Sequence, residues 1–244
     1  MFYIIGIGVT TNQITKEAEN IIKNCKEIYI DNYTNIFSEG KIEELENILS
    51  KKITPLQRTE LEQSLEYLKE DCCLLVIGNA FSATTHYTLV EEAKKKKIKI
   101  KMIPGISVFS YIGISGLFEY KFGKTTSIVY PEKNYFPTSF YKTICDNLTI
   151  GAHTVCLLDI KTDQNRFMSF NEACEILEKI DEEKKLCDKE CVVLAGLGSN
   201  NQKIKTFTFK EYKQIPNPKV YPQTLIISGN LNDFEKGAID EFRK

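Results

Sequence analysis

The feature that most limits how this chain can fold is its alternation between two hydrophobic periods. Runs rich in Ile, Val, Leu and Tyr at residues 2–7, 27–30, 73–77 and 98–103 are separated by helical patterns at 15–23, 61–69 and 88–97. Strands that alternate with helices build a mostly parallel sheet with covering helices, so an α/β fold is expected. A second set follows, with strand runs at 125–130, 154–158, 191–195, 204–209 and 224–227 and helices near 140–145, 170–180 and 231–242. Pro104-Gly105 and the glycines between 113 and 123 punctuate the two sets. The boundary is expected just after Leu117, ahead of a linker at 120–124, giving domains 1–117 and 118–244.

The 244 residues, 42% of them hydrophobic, suffice for a substantial core. Lysine and arginine number 32 against 33 aspartates and glutamates, a net charge of -1 that offers no basic field to draw the protein onto nucleic acid. No apolar stretch approaches the roughly 18 residues that span a bilayer, and the opening residues read as a strand without a charged leader. A cytosolic protein with no membrane partner is expected. The eight cysteines are scattered through the αβ pattern, several within apolar runs, and read as reduced structural thiols. Cys72 with Cys73 and Cys187 with Cys191 do not recur as metal-type pairs beside the two histidines, His86 and His153, so no metal is expected. The run Lys94 to Lys97 ends a helix, where cations are favoured by the helix dipole, and residues 161–166 read as an ordinary loop.

Three segments could carry chemistry. Gly6-x-Gly8 directly follows the first strand, where missing side chains would allow backbone to approach a nucleotide. A tight strand-to-loop turn explains the pair equally well. The third glycine of a dinucleotide fingerprint is absent, since Thr10-Thr11 stands there, which disfavours a nicotinamide site. Gly78-Asn79-Ala80-Phe81-Ser82-Ala83-Thr84-Thr85-His86 follows an apolar strand and precedes a helix. Loops at the carboxyl ends of strands in an open sheet face the ligand crevice, and small residues there leave room. Capping by Ser82, Thr84 and Thr85 and a hydrogen-bonded core position for His86 explain single residues but not the block. The third segment, residues 151–161, is a buried strand that ends in Asp159-Ile160-Lys161. A strand-end carboxylate bonded to loop backbone is the favoured role for Asp159. Two histidines assemble no nucleophile triad, and no Gly-Lys-Ser/Thr phosphate loop exists, so hydrolase and kinase readings lose support.

The opening Tyr3-Ile4-Ile5-Gly6-Ile7-Gly8 with Gln13-Ile14-Thr15, then Asp31-Asn32-Tyr33-Thr34, Ala83-Thr84-Thr85-His86, residues 117–123, Ser127-Ile128-Val129, Ser139-Phe140-Tyr141 and 151–161 resemble, in order and spacing, the diphthine synthases of the tetrapyrrole-methylase-like superfamily. The resemblance spans nearly the whole chain. It implies two αβα domains with a donor pocket in the cleft between them, S-adenosylmethionine as methyl donor, and usually a homodimer. The implied substrate is the 3-amino-3-carboxypropyl group on one histidine of translation elongation factor 2, which methylation converts to diphthine or its methyl ester on the way to diphthamide. Carried over by position, the donor-binding residues are Val9, Asn79, Ser82, Ser107, Val108, Leu158, Leu197 and Gln223. Displacement at a sulfonium methyl requires no dedicated base, and no catalytic residue is nominated.

Three departures from the family pattern adjoin the expected pocket. Gly78-Asn79-Ala80 replaces Gly-Asp-Pro, Leu194-Ala195-Gly196-Leu197-Gly198 replaces Leu-Ala-Arg-x-Gly, and Pro222-Gln223 stands where a histidine often occurs. A divergent lineage with compensating changes is the preferred account. Phe81, residues 153–161 and the cysteine content lean toward the eukaryotic four-methyl product, and the short chain toward the archaeal three-methyl one. The alternatives are a methylase acting on a small tetrapyrrole and a non-catalytic relative that docks on the elongation factor.

Overall fold

The computed structural model describes residues 1–82, 86–133 and 135–243. It resolves into two units, Met1–Ser110 with Lys161–Asn165, and Tyr111–Ile160 with Arg166–Lys244. The chain therefore passes from one to the other after Ser110 rather than after Leu117, and five residues from the middle of the chain return to the first unit, which no linear boundary describes.

The first unit holds a sheet of β1 (Phe2–Gly6), β2 (Glu27–Asp31), β3 (Thr54–Leu56), β4 (Cys72–Val76) and β5 (Ile100–Ile103). Its order is β3-β2-β4-β1-β5 and every pairing is parallel. The two strands at its centre are apolar throughout because both faces are covered. On one face Ile5, Cys73 and Leu75 pack with Ala18 and Ile22 of α1 (Lys16–Asn24) and with Leu45 and Leu49 of α2 (Ile42–Leu49). On the other, Phe2, Ile4, Leu74 and Val76 pack with Leu61 and with Leu89 and Ala93 of α3 (Tyr87–Lys95). Thr15 opens α1 by accepting from the Ala18 amide, and Lys94 and Lys95 lie in the last turn of α3, where the dipole favours them.

The structure differs from the sequence reading in the stretch between β2 and β4. Residues 61–69 form no α-helix. A single π-helical turn at Glu60–Ser64 ends in Leu65, whose φ of 48° is left-handed and stops propagation. Both α2 and β3 went unpredicted. The spacing of Ile42, Leu45 and Leu49 is helical but only two turns long, and β3 is a three-residue edge strand that tolerates Pro55 because an edge can spare one N–H.

In the second unit β6 (Thr126–Ile128), β7 (Thr154–Leu158), β10 (Glu190–Ala195), β11 (Lys203–Thr208) and β12 (Gln223–Ile227) form a sheet of order β11-β10-β12-β7-β6. Only β6–β7 is parallel. The two-residue strands β8 (Ile160–Lys161) and β9 (Arg166–Phe167) pair where a plain loop was expected. A core of Phe140, Ile144, Phe170, Leu177, Val193 and Leu225 joins this sheet to α5 (Ser139–Thr149) and α6 (Phe170–Ile180). Ser169–Glu172 and Asn232–Glu235 form capping boxes at α6 and α7 (Asp233–Asp240), each satisfying amides left open at a helix start. The remaining helix, α4 (Val108–Tyr111), is a single turn after β5.

Candidate functional site

Three loops converge at the carboxyl end of the parallel sheet, and glycine is what lets them meet. A Cβ on Gly6 would lie 2.6 Å from both the Gly105 nitrogen and the Gly78 oxygen, and one on Gly105 would lie 2.3 Å from the Gly78 oxygen. The loops after β1, β4 and β5 thus touch backbone to backbone. Gly8 and Gly78 both take left-handed φ, 85° and 84°, and the Gly78 amide donates to the Gly8 carbonyl at 2.9 Å. This revises the reason for Gly6-x-Gly8. The space beside Gly6 is filled by other backbone, and a Cβ on Gly8 would meet Gln13 Cβ at 2.4 Å. The glycines serve loop convergence first.

On this frame the structure brings together five of the residues singled out from sequence. Val9 is nearly buried, its amide donating to Gln13 Oε1 at 2.9 Å and its carbonyl accepting from Ser38. Asn79 Nδ2 donates to Ser82 Oγ at 3.0 Å, and the Ser82 amide donates back to the Asn79 carbonyl, which closes a tight turn. Ser107 is buried, with its amide on Ser110 Oγ, and Val108 follows as the first residue of α4. Ala83, Thr84 and Thr85 lie outside the described residues.

Behind the 78–82 loop stands a pair that sequence spacing did not connect. His86 Nε2 lies 2.9 Å from Asp31 Oδ2 and its Nδ1 lies 3.2 Å from the Ala80 carbonyl, with His86 6% and Asp31 1% exposed. Both ring nitrogens thus face oxygen atoms, Asp31 on one side and the Ala80 carbonyl on the other. Asp31 also accepts from the Tyr33 and Thr34 amides and the Thr34 hydroxyl. Burial pushes its carboxyl pKa up, but His86 and these donors outweigh that and hold it below the usual range. The chain Asp31–His86–Ala80 fixes the backbone of the loop that carries Asn79. The sequence offered a hydrogen-bonded core position for His86 and marked Asp31-Asn32-Tyr33-Thr34 only as a segment of the family resemblance.

The other three residues cluster at one end of the second sheet. Because β12 runs against both of its neighbours, its first residue, Gln223, pairs with Ala195 at the end of β10, while Thr224 pairs with Leu157 near the end of β7. Leu158 is the last residue of β7, and Leu197 lies two residues beyond β10. The Gln223 side chain is occupied internally: Oε1 accepts from the Phe170 amide at 2.9 Å, and Nε2 donates to Asn217 Oδ1 and the Val220 carbonyl. Gly196, at the position of the family's arginine, has φ 59°, and a Cβ there would lie 2.2 Å from Val220 Cγ1. A side chain at this position would be strained by the backbone and crowded by Val220. Asp159 takes the structural role: its Oδ2 accepts from the Tyr130 amide and its carbonyl from Met168.

The second histidine is also consumed by a carboxylate. His153 Nε2 lies 2.9 Å from Glu235 Oε1 with both side chains fully buried, and His153 Nδ1 accepts from the Gly229 amide. Glu235 further accepts from the Lys121 ammonium and the Phe118 and Asn232 amides. Burial raises the Glu235 pKa, yet Lys121, those amides and His153 together hold it down at about 2. For His153 burial is the larger effect and lowers its pKa against the pull of Glu235. This network anchors the 118–121 segment to α7 and offers no free group for chemistry.

A parallel sheet whose glycine loops meet at its carboxyl edge, followed by a mainly antiparallel second sheet, is the frame of a known methylase class. Residues 1–213 match Tetrapyrrole (Corrin/Porphyrin) Methylases, and the chain belongs to that family. It is a methyltransferase. The particular relatives are diphthine synthases: that of Methanococcus vannielii is 38% identical over 98% of this chain and 97% of its own. The diphthine methyl ester synthase of Kluyveromyces lactis is 34% identical over 99% of this chain and 90% of its own. A crystal structure of an Entamoeba histolytica protein described as a diphthine synthase superposes with a TM-score of 0.89 at 30% identity, covering 100% of this chain and 98% of the other.

Proposed function

We propose that this methyltransferase takes S-adenosylmethionine as donor and methylates the 3-amino-3-carboxypropyl-histidine of elongation factor 2, forming diphthine or its methyl ester. The observation that carries this reading is the likeness to diphthine synthases over essentially the full chain, at an identity that leaves little room for another chemistry. In each N-methylation the neutral amine attacks the sulfonium methyl carbon. A C–N bond forms as the C–S bond breaks, the electron pair stays on sulfur as S-adenosylhomocysteine, and the ammonium proton leaves to water before the next round. Where the ester is made, a carboxylate oxygen attacks instead, forming a C–O bond as the C–S bond breaks. Alignment of amine, methyl and sulfur is the main requirement, and orientation of this kind supplies about 7 to 11 kcal/mol.

The donor contacts we assign are Val9, Asn79, Ser82, Ser107 and Val108 in the first unit and Leu158, Leu197 and Gln223 in the second. Most of these are apolar or small, which suits recognition of adenosine by shape and by backbone groups. Gln223 contributes its backbone and the face of its side chain, since its amide is already bonded. Asn79, a neutral amide where the family carries a carboxylate, is expected to weaken donor binding without abolishing it. The protein is further read as a cytoplasmic homodimer with no nucleic-acid or membrane partner, and sedimentation at micromolar concentration tests the dimer.

Calorimetry with S-adenosylmethionine comes first: absence of binding at high micromolar donor would sink the proposal. Mass spectrometry of elongation factor 2 bearing the aminocarboxypropyl histidine then reads the product. Three added methyls identify diphthine, four its methyl ester, and an unchanged mass refutes the substrate.

A further inference from the structure

A cavity of about 370 Å³ lies on the α3 side of the first sheet, entirely within the first unit, and none of the donor contacts lines it. Its wall is apolar, made by Leu61, Leu65 and Leu89. Its polar groups are the Tyr33 and Thr34 residues that follow β2, and His86. Glu62 and Glu92 add carboxylates. A concave, mostly apolar space with a few convergent polar groups at the carboxyl end of a parallel sheet is the form a ligand site takes.

Two further features favour a ligand over a packing defect. The wall is built by the irregular segment that replaces the expected helix: Leu61 lies in the π-turn and Leu65 is the left-handed residue that ends it. Single π-turns of this kind recur at functional sites. His86 joins the cavity to the 78–82 loop through its bond to the Ala80 carbonyl, so the space adjoins the proposed donor contacts Asn79 and Ser82.

The charges beside it are paired in a way a zwitterion can exchange. Arg58 Nε donates to Glu62 Oε2 at 3.0 Å, and the same guanidinium lies 5.3 Å from the centre of the Tyr33 ring. Both partners of that ion pair are largely exposed, and exposed pairs of this type are weak. An amino acid head group could therefore open it, with the ammonium meeting Glu62 and the carboxylate meeting Arg58, while the leucine wall accepts an alkyl stem.

We infer that this cavity is the acceptor subsite, receiving the zwitterionic aminocarboxypropyl arm with the imidazole that bears it. The inference rests on the proposed function, which supplies that acceptor. Glu62 meets the ammonium on binding, the nitrogen sheds a proton to water before it attacks, and Glu62 faces the quaternary ammonium after the last transfer, a role for which a carboxylate beside an aromatic ring is suited. Arg58 holds the carboxylate end and so selects an arm that carries both charges.

The test uses the full-length enzyme, S-adenosylmethionine and elongation factor 2 bearing the modified histidine. Thr88 is an exposed residue on the cavity lining, and Thr88→Trp plugs the space from outside the core. Glu62→Gln and Arg58→Ala alter exposed side chains and leave the fold intact. All three should keep the donor dissociation constant of wild type by calorimetry, while kcat/KM for the elongation factor falls about tenfold or more. In the two charge variants the loss should fall mainly in KM. Should Thr88→Trp misfold, the charge variants decide alone. Unchanged acceptor kinetics in Glu62→Gln and Arg58→Ala would place the acceptor elsewhere. Failure of the wild type to bind donor or to methylate the factor would instead overturn the function, a result the variants cannot mimic.

Discussion

At the scale of single residues, His86 is where stability and function meet. Replacing it by Leu removes a hydrogen-bond partner from buried Asp31 and breaks the contact with the Ala80 carbonyl, and loss of a buried hydrogen-bond partner costs about 1 to 3 kcal/mol. His86→Leu should therefore lower the urea midpoint sharply and, if it still folds, bind S-adenosylmethionine about tenfold more weakly through the loosened 78–82 loop. A variant with wild-type donor affinity would remove His86 from any role in that loop. Gly196 makes a different case. Gly196→Ala places a Cβ in left-handed backbone against Val220 and should cost about 1 to 3 kcal/mol by denaturation. Adding Val220→Ala should recover part of that loss, and a double-mutant cycle with no coupling would show that the two do not compensate.

At the scale of elements, Gln223 acts as a clasp between β12, the start of α6 and residues 217–220. Gln223→Ala leaves the Phe170 amide without its acceptor in a buried setting, and an orphaned buried group costs about 1 to 3 kcal/mol. The expected result is a lower urea midpoint with an unchanged slope; a midpoint equal to wild type would mean that water replaces the clasp. The α-helical reading of residues 61–69 failed for a reason of the same scale. Leu61, Leu65 and Leu68 have helical spacing, but Leu65 turns left-handed so that Leu61 and Leu68 can both reach the core with Leu89. Packing outweighed propensity there, as it does where the local preference is worth only tenths of a kcal/mol per residue.

At the scale of the whole molecule, two buried groups set a pH dependence of one sign. His153 has a lowered pKa in the fold, so as pH falls through about 6.5 the unfolded chain takes up a proton that the folded chain refuses, and stability declines. Glu235 has a depressed pKa, so its contribution is intact above about 4.3 and is lost as pH falls toward its folded value of about 2. Urea midpoints measured from pH 8 down to pH 2 should fall from these two groups, first with histidine and then, below about pH 4.3, with carboxylate titration. His153→Gln should flatten the upper part of that curve, and a wild-type midpoint that stays level across the range would contradict the assignment.

The sequence by itself determined the α/β class, most strands to within a residue or two, and the methylase family. Those features are written in local periodicity, in glycines after strands and in short motifs, each of which needs only neighbours along the chain. Tertiary structure alone decided what the glycines are for, since the groups that forbid a Cβ on Gly6 come from residues 78 and 105. It also decided that each histidine is matched to a carboxylate far from it in sequence, Asp31 for His86 and Glu235 for His153, and that the Gln223 amide is spent on the fold. Pairings across such separations depend on which strands lie side by side, and no local pattern encodes that.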